Sequence, residues 1–473
     1  MDTAAETPIP ELLPTLQRLR AAQATTIPTC EQRRDDLKRL RDAFQRRIEE
    51  MATIVSADFG SRSRHESMIA DGMTVLNEID QLRRNLKRWM RPQRRMVNWL
   101  FQPARAEVRM QPLGVVGVIS PWNYPVSLAL IPLATAIAAG NHVMVKPSEH
   151  TPRTSAFLRD LLAEVFPADR VAVILGATDV AAAFAALPLD HLFFTGSTAV
   201  GRLVMAAAAK NLTPVTLELG GKSPCVIAPG YSLSLAAARI ASGKWLNAGQ
   251  TCIAPDYVML PEASREDFIV ALRANVQARF PTIAGNSDYT RIINVAQYQR
   301  LRGYLEEAAA HGAEIIELVP LDRERADAEC VIPPTVVIDP PDGIALMREE
   351  IFGPILPLKS YRAFDETINY INAQPRPLAL YQFDNDRARV ERTLQRTVAG
   401  GVSINDTVMH IVQDHLPFGG IGPSGMGHYH GHEGFLTFSK QKPVLYQARL
   451  SSMALFKPPY RGLADKLVKF LTR

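Results

Sequence analysis

The chain has 473 residues, 47% of them hydrophobic and 21% charged, with a formal charge of +5. That length exceeds one ordinary core, so two or three structural units are expected, and the composition excludes a disordered or fibrous chain. The mild basic excess bears on solubility and gives no reason to expect nucleic acid as a partner. Cys30, Cys225, Cys252 and Cys330 are too few and too scattered for a disulfide framework or a C-x-x-C pair. The start, Met1 to Pro8, is acidic and lacks an apolar signal core, and no apolar run reaches the roughly 18 residues of a spanning helix. A cytoplasmic protein is expected.

The first ninety or so residues read as helical. Leu37, Leu40, Phe44, Ile48, Met51 and Ile54 recur every three or four positions, the spacing of one buried helix face. Arg33, Arg34, Lys38, Arg39, Arg41, Arg46 and Arg47 fall on the other faces, and are expected in solvent. From Leu113 the texture changes. Leu113–Ile119, His142–Val145, Val171–Leu175, His191–Phe194 and Val215–Leu217 read as strands, with helices near Leu128–Ala139 and Thr154–Val165. This alternation predicts an open α/β unit with a mostly parallel sheet covered on both faces. Such sheets bind ligands beyond the carboxyl ends of their strands.

A second α/β unit follows Gly220. Ala236–Leu246, Arg265–Arg279 and Ala296–Ala310 read as helices and Val331–Val337 as extended chain. It should end near the glycine-rich Leu416 to Gly425. In the tail, Leu463, Leu467, Phe470 and Leu471 oppose Lys466 and Lys469, an amphipathic helix suited to docking on the protein's own surface or, less commonly, to contact with a membrane.

Several residues interrupt this pattern in ways that suit chemistry. Cys252 follows a helix and sits among small and polar residues; alone, it reads as a small buried hydrophobe, unless a base or a lowered pKa supplies the thiolate. Glu218 ends an apolar strand, with only Leu219 between it and Gly220-Gly221, where a carboxylate can serve acid–base work or simply face solvent. Asn123 lies between Pro121 and Pro125, which would hold its amide rigid enough for an oxyanion donor. Lys146 and Glu149 end another strand, where a carboxylate can accept from ribose hydroxyls. Gly196 and Ser197 lead a strand into an alanine-rich helix, whose N-terminus suits phosphate, although the strict G-x-G-x-x-G fingerprint is absent. His428, His430, His432 and Glu433 define no coordination geometry, and no metal is expected.

Pro121-Trp-Asn-Tyr-Pro, Leu217-Glu-Leu-Gly-Gly-Lys-Ser-Pro, Gly249-Gln-Thr-Cys-Ile-Ala-Pro-Asp-Tyr, Glu350-Ile-Phe-Gly-Pro and Leu416-Pro-Phe-Gly-Gly occur in an order that closely resembles the aldehyde dehydrogenase superfamily, from about Glu31 to Val444. The resemblance implies an α/β fold with a modified Rossmann NAD-binding domain (1–95 and 111–217), a catalytic domain (218–415), an oligomerisation arm (96–110 and 440–450) and an amphipathic tail (451–473). It implies Cys252 as nucleophile, Asn123 with the Cys252 backbone N–H as oxyanion hole, and Glu218 as the base that activates water. Lys146 and Glu149 would meet the adenosine ribose, Gly196 and Ser197 the pyrophosphate, Glu350 and Phe352 the nicotinamide ribose and ring. Ala254-Pro-Asp-Tyr257, Arg376-Pro-Leu-Ala-Leu-Tyr381, Val402-Ser-Ile-Asn-Asp406 and Gly425-Met-Gly-His-Tyr-His-Gly431 are most similar to the class 3 group, which includes bacterial coniferyl aldehyde dehydrogenases. That group implies a homodimer using NAD, in some members NADP, and an aromatic aldehyde, with a medium- or long-chain aliphatic aldehyde as the alternative. Tyr124 would then wall an aromatic substrate, or merely pack.

Overall fold

The computed structural model describes residues 6–449, 457–458, 460 and 462–472. Three sheets organise it. The first holds six strands in the order β15-β7-β6-β3-β4-β5: β3 (Val115–Ile119), β4 (His142–Lys146), β5 (Val171–Val173), β6 (His191–Thr195), β7 (Val215–Glu218) and the short β15 (Gly425–Met426). Pairing is parallel from β7 to β5, and β15 joins antiparallel. The residues of β3 are all buried, as expected of a strand covered on both faces.

The second sheet has seven strands in the order β10-β11-β12-β9-β8-β13-β14: β8 (Pro224–Ile227), β9 (Tyr257–Pro261), β10 (Glu314–Glu317), β11 (Thr335–Ile338), β12 (Ile355–Tyr361), β13 (Ala379–Phe383) and β14 (Gly401–Ile404). Only β10 runs antiparallel to its neighbour. The third sheet joins distant segments: β1 (Gln93–Arg95), β2 (Arg105–Pro112) and β16 (Ser439–Tyr446) pair antiparallel in the order β1-β2-β16. The chain after Leu416 thus returns to the first sheet through β15 before entering the third.

The helix Ser127–Ala139 buries twelve of its thirteen residues, so it is apolar all round and lies inside the molecule. It stops at Gly140, whose φ of 95° is a conformation that favours glycine. The periodic face from Leu37 to Ile54 is real but spans two helices, Cys30–Arg46 and Ile48–Phe59, which meet at a non-helical Arg47. A capping box of Thr29 and Gln32 starts the first.

Two expectations about charge and the tail need correction. Arg33 is buried, not solvated: its guanidinium donates to the carbonyls of Ala138 (3.2 Å) and Ala139 (2.7 Å), the open end of the buried helix. Other arginines of that run do lie nearer the surface, paired with acids, as Arg41 is with Asp80 and Arg46 with Glu164. The tail forms the helix Gly462–Leu471, which buries Ala464 but leaves Leu463 and Phe470 63% and 69% exposed, so much of its apolar side stays open. Residues 450–456 of the proposed arm and tail lie outside the described residues. Among the described residues no helix is long and apolar enough to cross a membrane.

Candidate active site

The carboxyl ends of four neighbouring strands put the expected residues on one edge of the first sheet. Ile119 of β3 is opposite Lys146 of β4, and Thr195 of β6 is opposite Glu218 of β7. From β3 the chain enters the loop that carries Asn123. From β6 it passes through Gly196 and Ser197 into the helix Thr198–Ala209, whose first turn Ser197 caps by accepting from the Val200 N–H. The remaining N–H groups of that turn have no helical partner, which makes the end a seat for an anion.

Cys252 reaches the same edge on a strained loop. Asn247, Ala248 and Gly249 all have positive φ, 52°, 51° and 75°. Side-chain amides hold the two non-glycine residues in that costly conformation. Asn247 donates to the carbonyls of Asn123 (3.1 Å) and Gln250 (3.2 Å), and Gln250 donates to Asn247 and Arg291 (3.0 Å each) while accepting from the Ile293 N–H. A side chain at Gly249 would collide with the carbonyl of Gly353.

One cavity of about 460 Å³ is lined by Asn123, Gly196, Ser197, Glu218, Cys252, Glu350 and Phe352, together with Trp122, Gln297 and Arg300. Seven of the ten expected site residues therefore share one space. Lys146 and Glu149 lie outside its lining, joined to each other at 2.9 Å. Half-burial works against the Glu149 carboxylate, yet the hydrogen bond from Lys146 holds it below the usual range. Tyr124 also lies outside the lining: its hydroxyl is 2.6 Å from the Thr251 Oγ1 and its ring 4.9 Å from the Arg62 guanidinium. A wider cavity of about 700 Å³ sits beside His142 and Arg170, at the amino ends of β4 and β5, and contains none of these groups.

Burial dominates the electrostatics. Both carboxylate oxygens of Glu218 are buried without a hydrogen-bond partner, and burial pushes its pKa well above the carboxylate range. Glu350 is raised to about 8 by burial and by Asp256, against the Gly221 N–H, Lys222 and Arg300. The Cys252 thiol is pushed up to about 12, first by burial and then by Glu350 and Glu218, while the N–H groups of Cys252 and Ile253 pull the other way. Arg300 donates to the carbonyl of Ile351 (2.8 Å) and Asp256 accepts the Ile351 N–H (3.0 Å), which fixes the backbone between Glu350 and Phe352.

Sequence reasoning missed Lys244, Asn247, Gln250 and Arg300. Lys244 is fully buried, its Nζ has no hydrogen-bond partner, and burial lowers its pKa to about 8 despite Asp256. The run of amides in Asn247-Ala-Gly-Gln was the one available signal for the loop. Of the histidines between 428 and 432, His430 stacks on Phe418 at 5.5 Å and His432 lies against Trp89 at 5.4 Å.

A thiol and a carboxylate whose oxygens have no hydrogen-bond partner, facing one cavity beside a helix N-terminus, define a covalent-catalysis enzyme on a nucleotide-binding α/β sheet. Comparison with known proteins agrees. The model of the aldehyde dehydrogenase family matches residues 19–444. A probable coniferyl aldehyde dehydrogenase of Pseudomonas aeruginosa is 50% identical over 452 residues, covering 95% of this chain and 94% of the relative. The substrate-bound state of Staphylococcus aureus AldH superposes with a TM-score of 0.92 at 35% identity, over 98% of this chain and 100% of that one. Betaine aldehyde dehydrogenase of Staphylococcus aureus, in complex with NAD+, superposes with a TM-score of 0.85 at 27% identity, over 94% and 89%. The chain belongs to the aldehyde dehydrogenase family. It is an enzyme that oxidises aldehydes with a nicotinamide cofactor, NAD or NADP.

Proposed function

We propose that the enzyme converts an aromatic aldehyde of the coniferyl aldehyde type into its carboxylic acid, with NAD, through a thioester on Cys252. The carrying observation is that Cys252 and the unpartnered Glu218 line one cavity. Glu218 in its carboxylate form takes the thiol proton, and the Cys252 sulfur attacks the aldehyde carbon to give a thiohemiacetal. One N–H of the Asn123 amide is engaged by the Gln250 carbonyl at 3.1 Å, which leaves the second for the oxyanion beside the Cys252 backbone N–H; such a donor is typically worth about 3 kcal/mol. Bound NAD supplies the hydride acceptor. Once Glu218 has released the thiol proton to solvent, water attacks the thioester, Glu218 takes the water proton, and the sulfur departs as thiolate while the acid leaves.

The cavity suits the cofactor. The helix N-terminus at Thr198 offers N–H groups to the pyrophosphate, Gly196 leaves no room for a side chain against Phe194, and Glu350 has a free carboxylate oxygen for a ribose hydroxyl. An ionised Glu149 favours the 2′-hydroxyl of NAD over a 2′-phosphate. We keep the domain division 1–95 with 111–217, 218–415, and 96–110 with 440–450 as our assignment; the three sheets support its outline, although β1 and the end of β2 pair within the arm's sheet and β15 returns to the first. We assign a homodimer, because the arm presents Met96, Trp99 and Leu445 at 100%, 63% and 58% exposure. Four free cysteines fit a reducing cytoplasm. A panel of aromatic, aliphatic and amino aldehydes with NAD or NADP, followed by reduced-cofactor absorbance, tests the reading. The aromatic aldehyde with NAD should give the highest kcat/KM; a preference for long aliphatic aldehydes would replace the substrate assignment.

A further inference from the structure

Beneath the catalytic loops lies an ion pair that the reaction does not use directly. Arg62 and Asp71 are 3.2 Å apart, and neither side chain is exposed. Burying such a pair is costly, and replacing it with apolar side chains is often neutral or stabilising, so its presence calls for a use beyond stability. Its remaining contacts are specific. Arg62 donates to the backbone carbonyl of Asn123 (3.1 Å), and its guanidinium lies 4.9 Å from the Tyr124 ring centroid. Asp71 accepts the N–H groups of Val126 (3.2 Å) and Ser127 (2.9 Å), where the buried helix begins. The pair therefore grips both ends of the five residues from Asn123 to Ser127.

On its other side the same segment is tied to the nucleophile loop. The Asn123 amide donates to the Gln250 carbonyl, and the Tyr124 hydroxyl meets Thr251. We propose that Arg62 and Asp71 are positioning residues that set the angle of the Asn123 amide toward the developing oxyanion at Cys252. They touch no reacting atom. This rests on Asn123 being the oxyanion donor. A displacement of one ångström at such a group can cost about a hundredfold in rate, which is what the clamp guards against.

A double-mutant cycle on the full-length enzyme tests the proposal. Arg62→Met should lower kcat by about tenfold and leave the Kd for NAD, read from fluorescence, unchanged. In an Asn123→Ala background the same substitution should change kcat by less than about twofold, since the group it positions is gone. Asp71→Asn supplies a second probe: its amide oxygen can still cap Val126 and Ser127, but Arg62 loses its counter-charge. It should slow the wild type and spare the Asn123→Ala enzyme in the same way, and it carries the test where Arg62→Met does not fold. Equal losses in both backgrounds would overturn the proposal while leaving the role of Asn123 intact. So would a fall in kcat that tracks NAD affinity and melting temperature. An Asn123→Ala enzyme as fast as wild type would remove the oxyanion role first, and the proposal with it.

Discussion

Gly220 and Glu350 are packed so closely that a Cβ on the glycine would overlap the glutamate's carboxylate. Gly220 therefore keeps Glu350 in the cavity by having no side chain, and its neighbour Gly221 supplies a backbone N–H to that carboxylate. Gly220→Ala should push Glu350 aside at an overpacking cost of about 1–3 kcal/mol. Felt wholly at the site, that is about a 5- to 150-fold loss of NAD affinity, measurable by fluorescence titration. Unchanged affinity and turnover would show that Glu350 does not hold the cofactor.

Cys252→Ala should abolish turnover and leave NAD binding near wild type. In the resting enzyme the thiol, pushed up to about 12, is neutral at pH 7. Its alkylation by iodoacetamide, followed by peptide mapping, should accelerate about tenfold per pH unit over the range below its pKa, because only the thiolate reacts. Cys225, buried in β8, should stay unmodified throughout. A rate at Cys252 that is flat between pH 6 and 9 would contradict the raised pKa.

Glu218 has a raised pKa because burial penalises its anion, so its basic form is populated only as pH climbs. The sign follows: kcat should rise with pH along an alkaline limb governed by loss of that proton. Glu218→Gln should flatten the limb and let an acyl adduct accumulate on Cys252, visible by mass spectrometry. An unchanged profile with no adduct would remove Glu218 from the mechanism.

Glu78 links pH to stability. Burial raises its pKa to about 7, against the hydrogen bond it accepts from the Gly431 N–H. The folded state thus binds a proton that the unfolded state releases near 4.5, and this group's contribution to stability declines as pH rises from about 4.5 through 7. Relative to Glu78→Gln, the wild type should lose on the order of 3 kcal/mol between pH 5 and 8 in urea denaturation. A pH-independent difference between the two proteins would refute the assignment.

The dimer assignment is checked by charge on the arm. Trp99→Glu with Leu445→Lys should convert a dimer to a monomer in light scattering. Two species of unchanged mass would place the interface elsewhere.

Cys252, Glu218 and Asn123 were legible because each is a polar or reactive residue where an apolar strand or helix ends, and ordered motifs surround them. The supports were not. Arg62 acts on Asn123 from 61 positions away, and Glu66 accepts the Asn247 N–H across 181; no periodicity reports such contacts. Arg33 shows the same limit from another side. It stands four positions before Leu37, on the same helix face, so its burial could have been read from the spacing; that the open end of a second helix waits there could not. The break at Arg47 was hidden as well, since no glycine or proline marks it and the apolar spacing continues through it.

The third sheet has a consequence for how the protein is made. Arg105 pairs with Tyr446, so β2 must wait for roughly 340 residues to be synthesised before its partner exists. At about 5–20 residues per second that is roughly 20–70 s on the ribosome. Throughout, β2 presents an unpaired edge on the side β16 will occupy, and β7 lacks β15 on its outer side. Pairing of β2 with β16 is therefore a late event, and the nascent chain depends on slow growth, dilution or chaperones to keep two open strand edges from finding the wrong neighbour.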